Sequence, residues 1–121
     1  MQHPENDLQC ACVTWFRYQY PNQSMRLFMI HNNPKSEREG ARLKAAGLLR
    51  GVSDLCYRRG DGRVAFIELK VGKNKLSPAQ KEFRDDCELL GDAYHVAYTL
   101  EEFIKIISDY NLHNTENIVS L

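Results

Sequence analysis

Thirty residues in the middle of the chain, GVSDLCYRRGDGRVAFIELKVGKNKLSPAQ from Gly51 to Gln80, leave few arrangements open. Two short apolar runs flank Gly60-Asp61-Gly62. A glycine–aspartate–glycine punctuation between apolar runs is a hairpin signal, because such residues accept the backbone angles a tight reversal needs. Antiparallel strands are therefore predicted at about Asp54–Arg58 and Val64–Val71. Side chains alternate along a strand, so Glu68 and Lys70 share one face while Ile67 and Leu69 take the other. Ala65-Phe66-Ile67 leads directly into Glu68, which places a carboxylate and an ammonium where burial is expected. Buried charges need partners or a metal, since an isolated one is costly to desolvate.

The segments around this hairpin read in order. Pro4 to Tyr20 is predicted helical: proline suits the first helical position, Glu5 and Asp7 suit the positive end of the dipole, and Leu8, Cys12, Trp15 and Phe16 form an apolar stripe. Pro21-Asn22-Gln23 ends that helix. Leu27-Phe28-Met29-Ile30-His31 reads as a buried strand, broken by Asn32-Asn33-Pro34. Ser36 caps a short helix through Lys44 or Ala46, closed by Gly47. After the hairpin, Ser77-Pro78-Ala79-Gln80 carries the signature of a capping box and opens a helix with Phe83, Cys87 and Leu90 on its apolar face, ended by Gly91. Ala93–Tyr98 is a last strand. Leu100–Tyr110 is a closing helix with Phe103, Ile104 and Ile107 inward, and a polar tail follows from residue 111.

The resulting order, α-β-α-β-β-α-β-α, predicts an α/β fold of the α+β type, a central mixed β-sheet flanked by helices. The last strand, arriving after a helix, is expected to pair in parallel through a right-handed crossover. The 121 residues suffice for one domain with a core at about 5–110. No apolar run is long enough to cross a bilayer, and the start MQHPENDLQC lacks the pattern of a secretory leader, so a cytoplasmic location is expected. In that setting Cys10, Cys12, Cys56 and Cys87 are expected to be reduced and mostly buried thiols.

The formal net charge is zero, yet residues 25–84 carry +8 and residues 85–121 carry −7. A basic central segment is what a polyanion partner would select. Its exposed cations are either a solvated face or phosphate contacts.

Asp54, at the start of one hairpin strand, and Glu68, at the end of the other, are placed to converge. Two carboxylates from adjacent strands can hold Mg2+, which takes hard oxygen ligands and keeps several waters. Lys70 would then lie beside the bound water and could stabilise charge growing on an attacked phosphoryl group. The plainer alternatives are a turn cap for Asp54 and a same-face ion pair for Glu68 and Lys70.

Taken together, Gly51-Val52-Ser53-Asp54-Leu55, Phe66-Ile67-Glu68-Leu69-Lys70, Leu76-Ser77-Pro78-Ala79-Gln80 and the upstream Gly40-Ala41-Arg42-Leu43-Lys44-Ala45-Ala46-Gly47 resemble the VRR-NUC branch of the PD-(D/E)xK nucleases. The likeness covers about Glu5 to Tyr98, and Ser53 stands where the branch usually has proline. The resemblance implies a restriction-endonuclease-like core and a Mg2+-dependent DNA endonuclease, with Mn2+ able to substitute and no small-molecule cofactor. It implies Asp54, Glu68, the Leu69 carbonyl and Glu5 as metal ligands, and Lys70 as the catalytic lysine. Gln80 matches a glutamine that arranges the site, a role that competes with its place in the capping box. Arg42, Lys44, Lys73, Lys75 and Lys81 become the expected phosphate contacts. Likeness to the small stand-alone phage and bacterial members further implies a homodimer acting on branched DNA, as a Holliday-junction resolvase does. Tyr18, Tyr20 and Phe28 are the candidate dimer contacts. A flap or single-strand nuclease, or a silent nucleic-acid-binding module, are the competing readings.

Overall fold

Helical and extended segments alternate along the chain as their local signals dictate. The structure, a computed structural model, describes residues 4–31 and 34–119, with side chains described through Leu112. Its elements are α1 (Pro4–Gln19), β1 (Leu27–Met29), α2 (Glu37–Ala45), β2 (Leu55–Arg58), β3 (Val64–Leu69), α3 (Pro78–Leu90), β4 (Ala93–Ala97) and α4 (Leu100–Val119), with one 3-10 turn at Pro21–Gln23. The strands form one sheet in the order β1-β2-β3-β4. β1 to β3 run antiparallel, and β4 lies parallel to β3, with Glu68 opposite Val96. The parallel pair is reached through α3, as a crossover connection requires.

The two faces of the sheet have different work. On one, Leu55, Tyr57, Ala65, Ile67, Leu69 and Ala97 pack against Cys12 and Phe16 of α1 and Phe103 and Ile107 of α4, all fully buried. Phe16 meets Tyr57 edge-on at 5.7 Å, and Trp15 meets Phe103 in the same way at 6.1 Å. Three polar side chains close a hydrogen-bonded ring at the edge of this core. The Tyr57 hydroxyl donates to Gln23 Oε1 (3.1 Å), Gln23 Nε2 donates to Asn111 Oδ1 (2.6 Å), and Asn111 Nδ2 donates to the Tyr57 hydroxyl (3.1 Å). The ring ties the turn after α1, the second strand and the last helix together.

The opposite face is covered over β3 and β4 by α3, where Phe83 stands edge-on to Phe66 at 5.1 Å and leans on Tyr94 at 6.2 Å. Glu68 belongs to this face, two residues on from Phe66.

Several expectations are corrected. β1 is not buried: it is the edge strand, with Leu27 inside but Phe28 48% and Met29 60% exposed, because no element covers its outer face among the described residues. It ends at Met29, and the expected break at Asn32-Asn33 lies outside the described residues. β3 ends at Leu69, so Lys70 lies one residue past it, although its N–H still donates to Ala97 O at 3.0 Å. Leu90 is 68% exposed, since α3 rests on the sheet through Phe83 and Cys87 and its last turn projects beyond. α4 runs on to Val119 rather than stopping at Tyr110. Residues 101–119 contain no glycine or proline to end it. Tyr20 is not a free surface residue but packs on Trp15 and Phe16, whereas Tyr18 is 90% exposed. The cysteines are all free thiols, Cys10 exposed and the other three buried.

Candidate active site

Asp54 stands at the threshold of β2. The ladder between β2 and β3 pairs Leu55 with Ile67 and goes no further, which leaves the Leu69 N–H without a strand partner. Asp54 Oδ2 takes that bond at 2.7 Å. The carboxylate thus caps the open end of the hairpin and is fixed by it. The turn leading to Asp54 is held by Ser53, fully buried, whose hydroxyl donates to Leu55 O at 3.2 Å. Gly51 sets the approach: its φ is +86°, and a Cβ there would lie 2.3 Å from Ala79 O. Only glycine lets this turn rest against the first turn of α3, which is where Gln80 sits.

Glu68 is 3% exposed and Lys70 9%. Burial pushes the Glu68 carboxyl up to about 8, helped by the charge and closeness of the Asp54 carboxyl; Lys70 acts in the opposite sense and Glu5 adds a smaller upward push. Glu68 Oε1 accepts from Gln80 Nε2 at 3.1 Å, while Oε2 is buried and has no hydrogen-bond partner.

Gln80 resolves the competition between its two expected roles by filling both. Its Oε1 accepts from the Ser77 N–H at 2.8 Å, and Ser77 Oγ accepts from the Gln80 N–H at 3.2 Å, completing the capping box. Its amide nitrogen faces Glu68. The amide orientation follows from this: a flipped group would set oxygen against carboxylate and NH2 against N–H.

The sequence-predicted residues divide accordingly. Asp54, Glu68, Lys70, Leu69 and Gln80 come together at one end of the hairpin. Glu5 is exposed on the first turn of α1, close enough to act on Glu68 electrostatically, yet no group of three or more His, Cys, Asp or Glu among the described residues forms a metal-holding cluster. Lys44 lines a groove with Arg50, Gly51, Ser77 and Gln80, the last of which also reaches Glu68. Lys73 and Lys75 are exposed on the loop after β3, which the Tyr98 hydroxyl pins by donating to Asn74 O at 2.7 Å. Lys81 is exposed at the start of α3; Arg42 is exposed on α2, on a separate shallow hollow with Ser36 and Arg38.

Sequence reasoning missed two neighbours. Arg50 lies between the end of α2 and the turn before β2, where no local motif marks it. Tyr94 read as a strand aromatic, but its hydroxyl is buried without a hydrogen-bond partner, and burial followed by the charge of Glu68 pushes its ionisation up. The β3–β4 register, which places Tyr94 opposite Phe66 on the Glu68 face, is what would have found it.

The model of the VRR-NUC domain matches residues 3–99. The chain belongs to the VRR-NUC family. A solved structure described as a VRR_NUC domain protein superposes with a TM-score of 0.71, at 24% identity, over 91% of this chain and 89% of its own. At that identity the likeness bears on the fold: the mixed four-stranded sheet with flanking helices is that of a VRR-NUC domain. A search of curated proteins found no match. VRR-NUC domains are nuclease domains, and the acids, lysine and glutamine described above are the polar groups this one gathers on its buried strand end.

Proposed function

We propose that this VRR-NUC domain is a metal-dependent DNA endonuclease whose centre is Asp54, Glu68 and Lys70. The observation that carries the reading is the unpartnered, buried Oε2 of Glu68 beside a second carboxylate. Two carboxyls held this close repel unless a proton or a cation lies between them. The donor set consists of hard oxygens and is short of a full cage, which fits Mg2+, or Mn2+ in its place. Asp54, Glu68 and the Leu69 carbonyl would hold the ion, which when bound supplies Lewis acidity and an activated water. Glu5 would contribute through water, from the edge.

The chain's own groups do the rest. The Leu69 N–H fixes Asp54, and Gln80 fixes Glu68, so neither carboxylate needs to reorganise during the reaction. The Lys70 ammonium, held at the same strand end, stabilises the negative charge that grows on the phosphoryl oxygens as water attacks. Lys44, Lys73, Lys75 and Lys81 hold the phosphodiester backbone, with Arg42 further along. The preferred substrate is branched DNA and the acting form a homodimer, whose two-fold axis would address two strands at once. The likeness to stand-alone members of the branch supports both, and the exposed Tyr18 and Phe28 are available as contacts.

The test incubates the protein with a four-way junction, a flap, a duplex and a single strand, with and without Mg2+ or Mn2+. Paired symmetric nicks in the junction, dependent on metal, are expected. Cutting of flaps or single strands alone would replace the substrate assignment, and binding without cutting in every metal would remove the enzymatic one. Lys70→Ala should abolish cleavage and leave DNA binding and the melting temperature nearly intact. Wild-type rates from that variant would refute the mechanism.

A further inference from the structure

At the other end of the hairpin lies a second concave site. Arg26, Arg58 and Arg63 line it together with Val64 and the backbone of Gly60 and Gly62. Arg58 is paired directly with Val64 across the β2–β3 ladder, and both alternate onto the face that carries Phe66 and Glu68. Arg26 immediately precedes β1, its carbonyl accepting from the Arg58 N–H at 2.7 Å. Arg63 closes the site from the turn.

Three guanidiniums around one hollow repel one another unless something negative sits among them. No ion pair to any of the three is formed among the described residues. The carboxylate of the turn, Asp61, forms no ion pair with the three: Oδ2 pairs with Arg59 at 3.4 Å, Oδ1 accepts from the Arg63 backbone N–H at 3.0 Å, and Arg59 lies over the Tyr110 ring at 4.8 Å, on the α4 side of the sheet. Arg58 and Arg63 are exposed, which leaves their forks free to grip from solvent. Guanidinium is the cation best matched to phosphate, through paired N–H donors.

We infer that the hollow formed by Arg26, Arg58 and Arg63 is a second phosphate-binding site, which grips the backbone of a DNA substrate away from the bond that is cut. The inference rests on the nuclease reading for the nature of its ligand. Val64 and Glu68 are four residues apart on one strand, so the hollow lies about 13 Å from the Glu68 carboxyl's strand position. That distance corresponds to about four nucleotides of duplex rise. A backbone contact so placed sets the register and direction in which DNA enters, and takes no part in bond breaking.

The test uses Arg58→Gln/Arg63→Gln in the full chain, leaving the half-buried Arg26 intact. Binding of a fluorescein-labelled duplex is measured by anisotropy without divalent metal, across a salt series. Loss of two phosphate contacts should lower the slope of log affinity against log salt by about 2. Between about 50 and about 200 mM salt the wild type should therefore lose about tenfold more affinity than the variant. The Arg58→Lys/Arg63→Lys form should recover most of the slope, and all three proteins should melt alike. In Mg2+ the turnover at saturating DNA should be unchanged while KM rises. An unchanged affinity and slope in the glutamine variant, with cleavage intact, would overturn this site alone. A lost slope in a protein that cuts no substrate would uphold the site and remove the nuclease reading instead.

Discussion

Glu68 concentrates the chemistry of this molecule in one carboxyl. Its proton is held to about 8 when folded against an ordinary value of 4.5, burial being the largest cause and Asp54 the next. The folded state therefore binds an extra proton between those two values. Its contribution to stability is full below about 4.5 and is lost as pH rises through about 8. In metal-free protein the melting temperature should fall across that interval. Glu68→Gln should flatten the fall and melt higher than wild type on its alkaline side, because a neutral amide puts no buried charge beside Asp54. A variant that kept the wild-type slope would show that another group titrates. Sequence spacing placed Glu68, Asp54 and Lys70 at one strand end. It did not reveal that Asp54 would be engaged by the Leu69 N–H, because that bond exists only where the β2–β3 ladder stops, and the stopping point is a matter of register.

Among the elements, α3 is the one whose construction and function are joined at a single residue. Ser77 and Gln80 cap it reciprocally, and the same Gln80 reaches Glu68. The two duties can be separated. Ser77→Ala removes the Oγ acceptor but keeps the backbone N–H that orients Gln80; it should cost about 1 kcal/mol of stability and leave cleavage near normal. Gln80→Ala should cost a similar amount and also depress cleavage, with Glu68 left to reorient. Chemical denaturation and turnover, measured on the same pair, decide this; equal turnover in both would reduce Gln80 to a cap. α3 and the hairpin were legible because their signals are local: a cap, a proline, a glycine-flanked turn. β1 was misread as buried because its five-residue apolar run says nothing about which neighbour it will lack, and edge position is set by the whole strand order. α4 was misread as short because a polar stretch without glycine or proline carries no stop, and hydrophobic periodicity gave out before the helix did.

The molecule as a whole gives one sheet face over to the main core and gathers its candidate functional groups on or beside the other. α1 and α4 seal the first, where nearly every side chain is apolar, and the acids, Lys70, Lys44 with Arg50, and the arginine hollow open on or beside the second. The basic bias of residues 25–84 maps onto that side only in part: the hairpin, α2 and the loop after β3 come from that segment, but Arg59 turns to the α4 side and the end of α3, on the second face, carries Asp85, Asp86 and Glu88. Such a division makes stability and activity separable, and the Tyr57 ring tests it. Tyr57→Phe keeps the aromatic packing on Phe16 and Tyr110 but removes the hydroxyl that both Gln23 and Asn111 use. Depriving the half-buried Gln23 and the buried Asn111 of this bond should cost about 1–3 kcal/mol. The loss should appear as a lower denaturation midpoint with an unchanged slope, since the surface exposed on unfolding is nearly the same. Turnover per folded molecule, measured well below the melting temperature, should stay at the wild-type level, because Tyr57 alternates onto the α1/α4 face of the sheet, opposite the one that carries Glu68. A fall in turnover that tracked the loss in stability would mean that the cohesive face tunes the geometry of the acids through β2, and that the two faces are not independent.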